Sequence, residues 1–284
     1  MWSSRPAPRR ALLALVLGAI LLASGLSGGR AAADTPRSPA GAEMELKRLM
    51  SAFDQVVFGT GLAGAMKQQQ IAKWPGPVLV GLRRVEGSIA AGTDGSPTPR
   101  GAEGDAGIPV IEPWVRETIE SHLSHLARLT GLELALVEGD GAEVDIRITL
   151  TDRLGLDTIA FDGVSPALMR QLRGPGRCFF VYWLGQPGVI QQAEIVINTQ
   201  LHKHHVKHCL IEEITQSLGL PNDTDVARPS MFSDHDRLLE LSPGDELLVR
   251  ALYHPGVRPA LGREAALWLV KNKLRQLLAE RSTL

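Results

Sequence analysis

A short stretch in the middle of the chain alternates strictly between apolar and polar side chains. Its apolar residues are Val144, Ile146, Ile148 and Leu150, and its polar residues are Asp145, Arg147 and Thr149. Because successive side chains of a β-strand point to opposite faces of a sheet, this period of two predicts a strand with one polar face. The apolar face must be buried against another layer of structure.

Short apolar runs and helical repeats surround this strand. We predict further strands at residues 77–82, 132–138, 178–184 and 193–198, and helices at residues 43–58, 113–130 and 204–218. Pro113 suits the first turn of its helix, and Gly131 is well placed to end it. A helix between strands and another directly after the sheet predict an α/β (α+β) fold with a mixed sheet.

The N-terminus has the pattern of a secretory signal peptide. Three arginines precede an apolar run from residue 11 to about residue 26, and residues 31–33 are alanines. The run is short for a membrane span, so we expect residues 1–33 to be cleaved off and no stable membrane span to remain. A retained anchor is the alternative. This pattern predicts a bacterial type of export, to the periplasm or beyond.

Two cysteines, Cys178 and Cys209, follow the predicted cleavage site. Because export leads to an oxidising compartment, we expect these residues to form a disulfide. The alternative is two buried free thiols.

Charge excludes one class of partner. The chain has 30 lysines and arginines against 31 aspartates and glutamates. Such a balance gives no electrostatic attraction to a polyanion, so we expect no nucleic-acid partner.

One segment carries the pattern of a catalytic site. Residues 212–222 read Glu-Glu-Ile-Thr-Gln-Ser-Leu-Gly-Leu-Pro-Asn. The segment resembles the metzincin zinc-protease signature His-Glu-x-x-His-x-x-Gly-x-x-His, whose spacing it keeps while lacking all three histidines. The resemblance implies ligand positions at Glu212, Gln216 and Asn222. It also implies the general-base position at Glu213 and a chain turn at Gly219.

Two further segments are similar to the same family. Met231 lies where metzincins carry a methionine turn, and residues 241–253 resemble the closing helix of its matrixin-like members, with Ser242 and Asp245 spaced as a capping box. The whole chain also resembles an uncharacterised family of bacterial exported proteins with a Cys-x-x-Glu-Glu-x-x-Gln-x-Leu-Gly core, which stands here at residues 209–219.

The resemblance implies a metzincin-like mixed β-sheet with a central site helix, a methionine turn and C-terminal helices. We assign this domain to residues 71–258, with a flexible loop at residues 87–109. An N-terminal extension with an amphipathic helix precedes it at residues 34–70. A C-terminal amphipathic helix follows at residues 259–284, and it packs on the domain or serves a partner.

The altered ligand positions suit zinc poorly. Zinc prefers nitrogen and sulfur donors, and the amide oxygens of Gln216 and Asn222 are weak substitutes for imidazole. We therefore expect no cofactor. The alternative is zinc or another divalent cation with help from His208, one helical turn before Glu212, or from His235, although histidines near a helix start are commonly solvated.

A metal-free site is the second alternative. Glu213 and Gln216 are neighbours on the helix surface, and a carboxylate beside an amide donor can activate water and stabilise an oxyanion. In the simpler interpretation, Gln216 hydrogen-bonds the glutamate pair and replaces the lost metal crosslink.

These observations favour a non-catalytic module that binds a peptide or protein of the cell envelope. The alternative is an active peptide hydrolase with a non-standard metal site or a site centred on Glu213.

Overall fold

A five-stranded mixed sheet organises the protein. The strands in chain order are β1 (Val78–Val85), β2 (Ile89–Ala91), β3 (Pro97–Pro99), β4 (Leu134–Val137), β5 (Ile146–Thr151), β6 (Cys178–Gln186) and β7 (Val189–Asn198). The main sheet has the order β4-β1-β5-β7-β6, in which only β6 is antiparallel to its neighbour. The mixed sheet predicted from sequence is confirmed.

Seven helices of the described chain surround this sheet. They are α1 (Pro39–Phe58), α2 (Pro113–Thr130), α3 (Arg153–Thr158), α4 (Pro166–Arg173), α5 (Lys203–Gln216), α6 (Pro243–Leu252) and α7 (Arg263–Arg281). The predicted helix at residues 113–130 has the bounds of α2, and Gly131 ends it with a φ of 74°. A positive φ is accessible to glycine without strain, which explains why the helix stops there.

The computed structural model describes residues 39–59, 68–86, 89–91, 97–99, 111–137, 143–174 and 178–281. The predicted signal peptide at residues 1–33 lies outside these ranges. Of the predicted loop at residues 87–109, β2 and β3 are described and pair with each other. Among the described helices, no candidate for a membrane span is found.

The apolar face of β5 lies in the main core. Ile146, Ile148 and Leu150 are at most 2% exposed and belong to one cluster with side chains of α1, α2, α5, α6 and α7. The alternation of residues 144–150 therefore identified the buried face correctly.

The opposite face of β5 is polar, as the alternation predicted, but its threonines are buried. Thr149 and Thr151 are 0% and 2% exposed, so this face is polar but buried. A second cluster beneath α3 and α4, which includes Leu156, Met169 and Val196, covers part of it. Sequence reasoning missed both short helices, although Asp152 caps the first and Ser165 caps the second.

Helix α1 is an integral part of the core. Its fully buried side chains include Leu49, Phe53 and Val56, as the helical spacing predicted. The helix contacts α6 and α7, and the Arg263 guanidinium donates to the Asp54 carboxylate at 2.7 Å. Helix α1, near the start of the compact unit Arg37–Leu284, therefore packs against α7, near its end.

We expect Phe53→Ala to lower the free energy of unfolding by about 3–5 kcal/mol, because it leaves a cavity at a site with no exposure. Urea denaturation followed by circular dichroism measures this loss. The control is Ser51→Ala on the exposed face of α1, which should change stability by less than about 0.5 kcal/mol. Equal effects of the two substitutions would contradict burial of α1.

Candidate functional site

The candidate site lies on α5, which follows β7 almost directly. After α5 the chain turns at Gly219, whose φ is 109°. A Cβ atom at this position would lie 2.1 Å from the Ala72 carbonyl oxygen. Only glycine satisfies both conditions, and the turn sends the following loop back along the helix.

The turn around Met231 is buried and fixed to the start of α6. Met231 is not exposed, and its backbone N–H donates to the Asp245 carboxylate at 2.8 Å. The Ser230 hydroxyl donates to the same carboxylate at 2.6 Å. Asp245 also accepts from the Ser242 backbone N–H at 2.9 Å, which completes the capping box that the sequence predicted.

His208 and Glu212 meet on α5. The His208 Nε2 atom lies 3.2 Å from Glu212 Oε2, and its Nδ1 atom lies 2.9 Å from the Leu238 carbonyl oxygen. Because a carbonyl only accepts, Nδ1 carries a hydrogen and orients Nε2 towards the carboxylate. The structure thus brings together this pair, which the sequence placed on one helix face.

Glu213, at the general-base position, is buried and only 5% exposed. Burial, and then the neighbouring Glu212 and Asp223 carboxylates, raise its pKa well above the ordinary value. These effects favour the protonated carboxyl group. A general base must lose its own proton before it can take one from water, so such a role requires Glu213 to ionise despite its burial.

Gln216 makes a different contact from the one expected. Its side-chain amide donates to Asp223 Oδ1 at 2.7 Å rather than to the glutamate pair. Burial is the main reason that the pKa of Asp223 rises to about 7, followed by repulsion from Glu212. Sequence reasoning missed Asp223, although it directly follows the third ligand position.

Asn222 points away from the other two ligand positions. Its amide donates to the Val56 carbonyl oxygen at 2.9 Å, and its backbone N–H donates to the same atom at 3.1 Å. Asn222 therefore holds the end of α1 instead of approaching Glu212. Since Gln216 is also bonded elsewhere, the three ligand positions of the metzincin signature do not fit a zinc ion.

His235 does not reach the buried carboxyl groups. Its side chain is 64% exposed, and its Nε2 atom lies 3.4 Å from the Asp225 carboxylate on the surface. Exposure keeps this imidazole away from Glu213, so the idea of His235 as a replacement ligand finds no support in its position.

The predicted disulfide between Cys178 and Cys209 is confirmed, and the alternative of free thiols is wrong. It links the first residue of β6 to α5 with a Cα–Cα distance of 6.0 Å. The Cys178 sulfur and one oxygen each of Glu212 and Glu213 all lie within 4.8 Å of one another. The crosslink therefore joins the edge of the sheet to the site helix beside its two carboxyl groups.

His122 contacts the opposite side of α5. Its Nε2 atom lies 2.8 Å from the Thr215 hydroxyl oxygen, and that hydroxyl donates to the Ile211 carbonyl at 2.7 Å. Burial lowers the pKa of His122 to about 3, so the ring is neutral at pH 7. This contact anchors α5 to α2.

An acidic cavity of about 480 Å³ opens beside the site. Its lining consists of Gln55, Asp223, Thr224, Asp225, Val226 and Asp234. Asp223 connects this cavity to Gln216 on α5. The cavity therefore adjoins the candidate site and carries a negative charge.

The backbone of β6 presents a row of polar groups at the edge of the sheet. The backbone N–H of Ala193 in β7 donates to the backbone carbonyl of Asp145, just before β5. Ala193 therefore turns its backbone groups towards β5, and it forms no backbone hydrogen bond with Tyr182, its partner on β6. The backbone groups of successive residues in a strand point alternately to its two sides. The N–H and C=O groups that point away from β7 are therefore those of Cys178, Phe180 and Tyr182. Within the described ranges, no backbone hydrogen bond reaches this outer row.

A comparison with family models gives one match. The family described as "Protein of unknown function (DUF2927)" matches residues 112–272. This range contains α2, the sheet from β4 onwards and the whole of α5. A search among curated proteins gave no match.

We expect Gly219→Ala to lower the free energy of unfolding by about 2–4 kcal/mol, because the added Cβ would collide with the Ala72 carbonyl at an unfavourable φ. The matched control is Gly244→Ala, where the nearest atoms would be 3.6 Å from the added carbon. Thermal and urea unfolding of both variants measure the difference. A stable Gly219→Ala protein would show that the turn does not require glycine.

Asp223 should make stability depend on pH. Its folded pKa of about 7 lies above the ordinary aspartate value, so the folded state binds the proton more tightly than the unfolded chain does. Stability should therefore fall as pH rises from about 4 to 7, with a loss of about 2 kcal/mol between pH 5 and 7.5.

The substitution Asp223→Asn should remove this part of the pH dependence while leaving an acceptor for the Gln216 amide. Urea unfolding at the two pH values measures the slope, and Glu120→Gln on an exposed part of α2 is the control. An unchanged slope in the Asp223→Asn protein would rule out a raised pKa for this carboxyl group.

Proposed function

This chain belongs to the uncharacterised family whose model matches residues 112–272, and we propose that it is an exported module that binds an extended peptide without cleaving it. In this proposal the domain is a metzincin-like pseudo-metalloprotease. Its partner is a peptide or protein of the cell envelope, which adds a strand to the outer edge of β6.

The outer edge of β6 is the observation that carries the proposal. The backbone groups of Cys178, Phe180 and Tyr182 point away from β7 and find no backbone partner in the described chain. Such an edge is a template for another strand, because each unpaired N–H and C=O group can bond to an extended peptide. The side chains beside this edge can supply specificity.

The strand order and the elements around α5 support the metzincin-like part of the proposal. The site helix follows a parallel strand, the glycine turn follows the helix, and a buried methionine lies in the next turn. This order agrees with the order of motifs in the sequence. The agreement concerns architecture, and the activity is argued from the site itself.

The contacts of the former ligand positions favour binding over catalysis. Asn222 bonds α1, Gln216 bonds Asp223, and the raised pKa of Glu213 favours its protonated form. Neither amide side chain is a nucleophile or a base, and both are bonded away from Glu213. The competing hydrolase hypothesis needs Glu213 ionised and accessible to water.

The disulfide supports export. A bond between Cys178 and Cys209 forms and persists in an oxidising environment, which indicates an extracellular compartment. Cleavage after residue 33 remains a prediction, and N-terminal sequencing of the protein from the producing cell tests it.

Selection from a phage-displayed library of random decapeptides tests peptide binding. We expect enriched peptides to bind in an extended form, in which only every second backbone N–H bonds to β6. Methylation of those nitrogens should abolish binding, and methylation of the nitrogens between them should not. Isothermal titration measures these affinities. A peptide that tolerates methylation everywhere, or a selection without enrichment, would contradict strand addition at β6.

The same peptides separate binding from hydrolysis. We expect the bound peptide to remain intact over days when it is followed by mass spectrometry, and Glu213→Gln to bind it with the wild-type affinity. Cleavage that Glu213→Gln abolishes would instead establish the hydrolase hypothesis.

A further inference from the structure

The disulfide lies in a cluster of groups that are common metal ligands. The Cys178 sulfur, one oxygen of Glu212 and one oxygen of Glu213 all lie within 4.8 Å of one another. The sulfur comes from β6 and both carboxyl groups come from α5, so two well-packed elements hold the cluster together. As a disulfide, however, the sulfur carries no negative charge.

Glu213 provides a second and independent indication of a ligand. Its side chain is only 5% exposed. In the described part of the chain, no hydrogen bond or ion pair to its carboxyl group is found. Buried polar groups are almost always satisfied, and coordination of a metal is one way in which a buried carboxylate gains a partner.

We propose that reduction of the Cys178–Cys209 disulfide creates a binding site for a divalent cation of the zinc class, with the Cys178 thiolate, Glu212 and Glu213 as ligands. This set differs from the ligand positions of the metzincin signature, of which it uses only Glu212. The proposal does not depend on peptide binding.

The geometry suits zinc after a small movement. Zinc binds thiolate at about 2.3 Å and carboxylate oxygen at about 2.0–2.2 Å, which places tetrahedral ligands roughly 3.5 Å apart. Since the three donors lie within 4.8 Å of one another, they must approach by at most about 1.3 Å. Release of the Cys178 sulfur from Cys209 permits this movement, while pairing of β6 with β7 keeps Cys178 near α5.

His208 acts as a positioning residue in this site. Its Nε2 atom lies 3.2 Å from Glu212 Oε2, and its Nδ1 atom is held by the Leu238 carbonyl. Such a contact orients a ligating carboxylate.

The redox step needs a dithiol reductant. The dithiol transfers two electrons and two protons to the disulfide, so the S–S bond breaks, two cysteine thiols form, and the reductant becomes a disulfide. Cation binding then releases the proton of Cys178, and that of any protonated Glu213, to solvent, because the ligands are the thiolate and the carboxylates. Oxidation reverses the step and expels the cation.

Two serine variants open the disulfide without a thiol reductant. This matters because a thiol reductant would itself bind metal. Cys209→Ser frees the Cys178 thiol, and Cys178→Ser breaks the same disulfide but removes the proposed ligand. Cobalt(II) serves as the probe, since cobalt bound to thiolate has a sulfur-to-metal charge-transfer absorption. Near-ultraviolet circular dichroism checks that both variants are folded.

We expect Cys209→Ser to bind one cobalt ion with this absorption, and oxidised wild type and Cys178→Ser to show none. Glu213→Gln in the Cys209→Ser protein should weaken cobalt binding about 10- to 100-fold. Equal cobalt binding by the two serine variants, or no thiolate absorption in Cys209→Ser, would overturn the proposal.

Thiol protection in the wild-type chain gives a second measurement if Cys209→Ser does not fold. The protein is reduced, freed of dithiol without oxygen, and alkylated with or without zinc, and both cysteines are followed by peptide mass spectrometry. Zinc should slow alkylation of Cys178 more than that of Cys209, because a thiolate bound to metal is no longer free to react. Alkylation of Cys178 at the same rate with and without zinc would reject it as a ligand.

Discussion

The burial of α5 on nearly all sides is the constraint on which the rest of the structure depends. Strands β6 and β7 and helix α2 contact this helix, and nine of its side chains are buried, polar ones among them. Each buried polar group must find a partner, since an unsatisfied one is costly. Thr215 finds His122, Gln216 finds Asp223, and His208 finds Glu212. Glu213 is the exception, and its environment favours the neutral carboxyl group.

The crosslink at Cys178 couples this helix to the edge of the sheet. It joins the two places to which function is assigned, namely the outer row of β6 and the carboxyl groups of α5. A peptide added to β6 would therefore contact the strand that the disulfide holds in place. The same bond occupies the Cys178 sulfur, which is the proposed metal donor on β6.

Local patterns were sufficient to predict most of the regular elements. Pro113 and Gly131 delimited α2, and the capping box at Ser242 marked the start of α6, because these residues act through their own backbone and its nearest neighbours. The helices α3 and α4 were missed because they are short and bury few side chains. Asn222 was misassigned because spacing gives the position of a residue along the chain but not the direction of its side chain.

The sequence by itself determined most strands and the long helices and the buried face of β5, and it favoured a disulfide between its two cysteines. Periodicity and capping are local properties, so they can be seen without the fold. Only the tertiary structure decided that Asp223 would take the Gln216 amide, that Asn222 would hold α1, and that His235 would stay on the surface. Those outcomes depend on elements far apart in the chain, whose distances are set when the core packs.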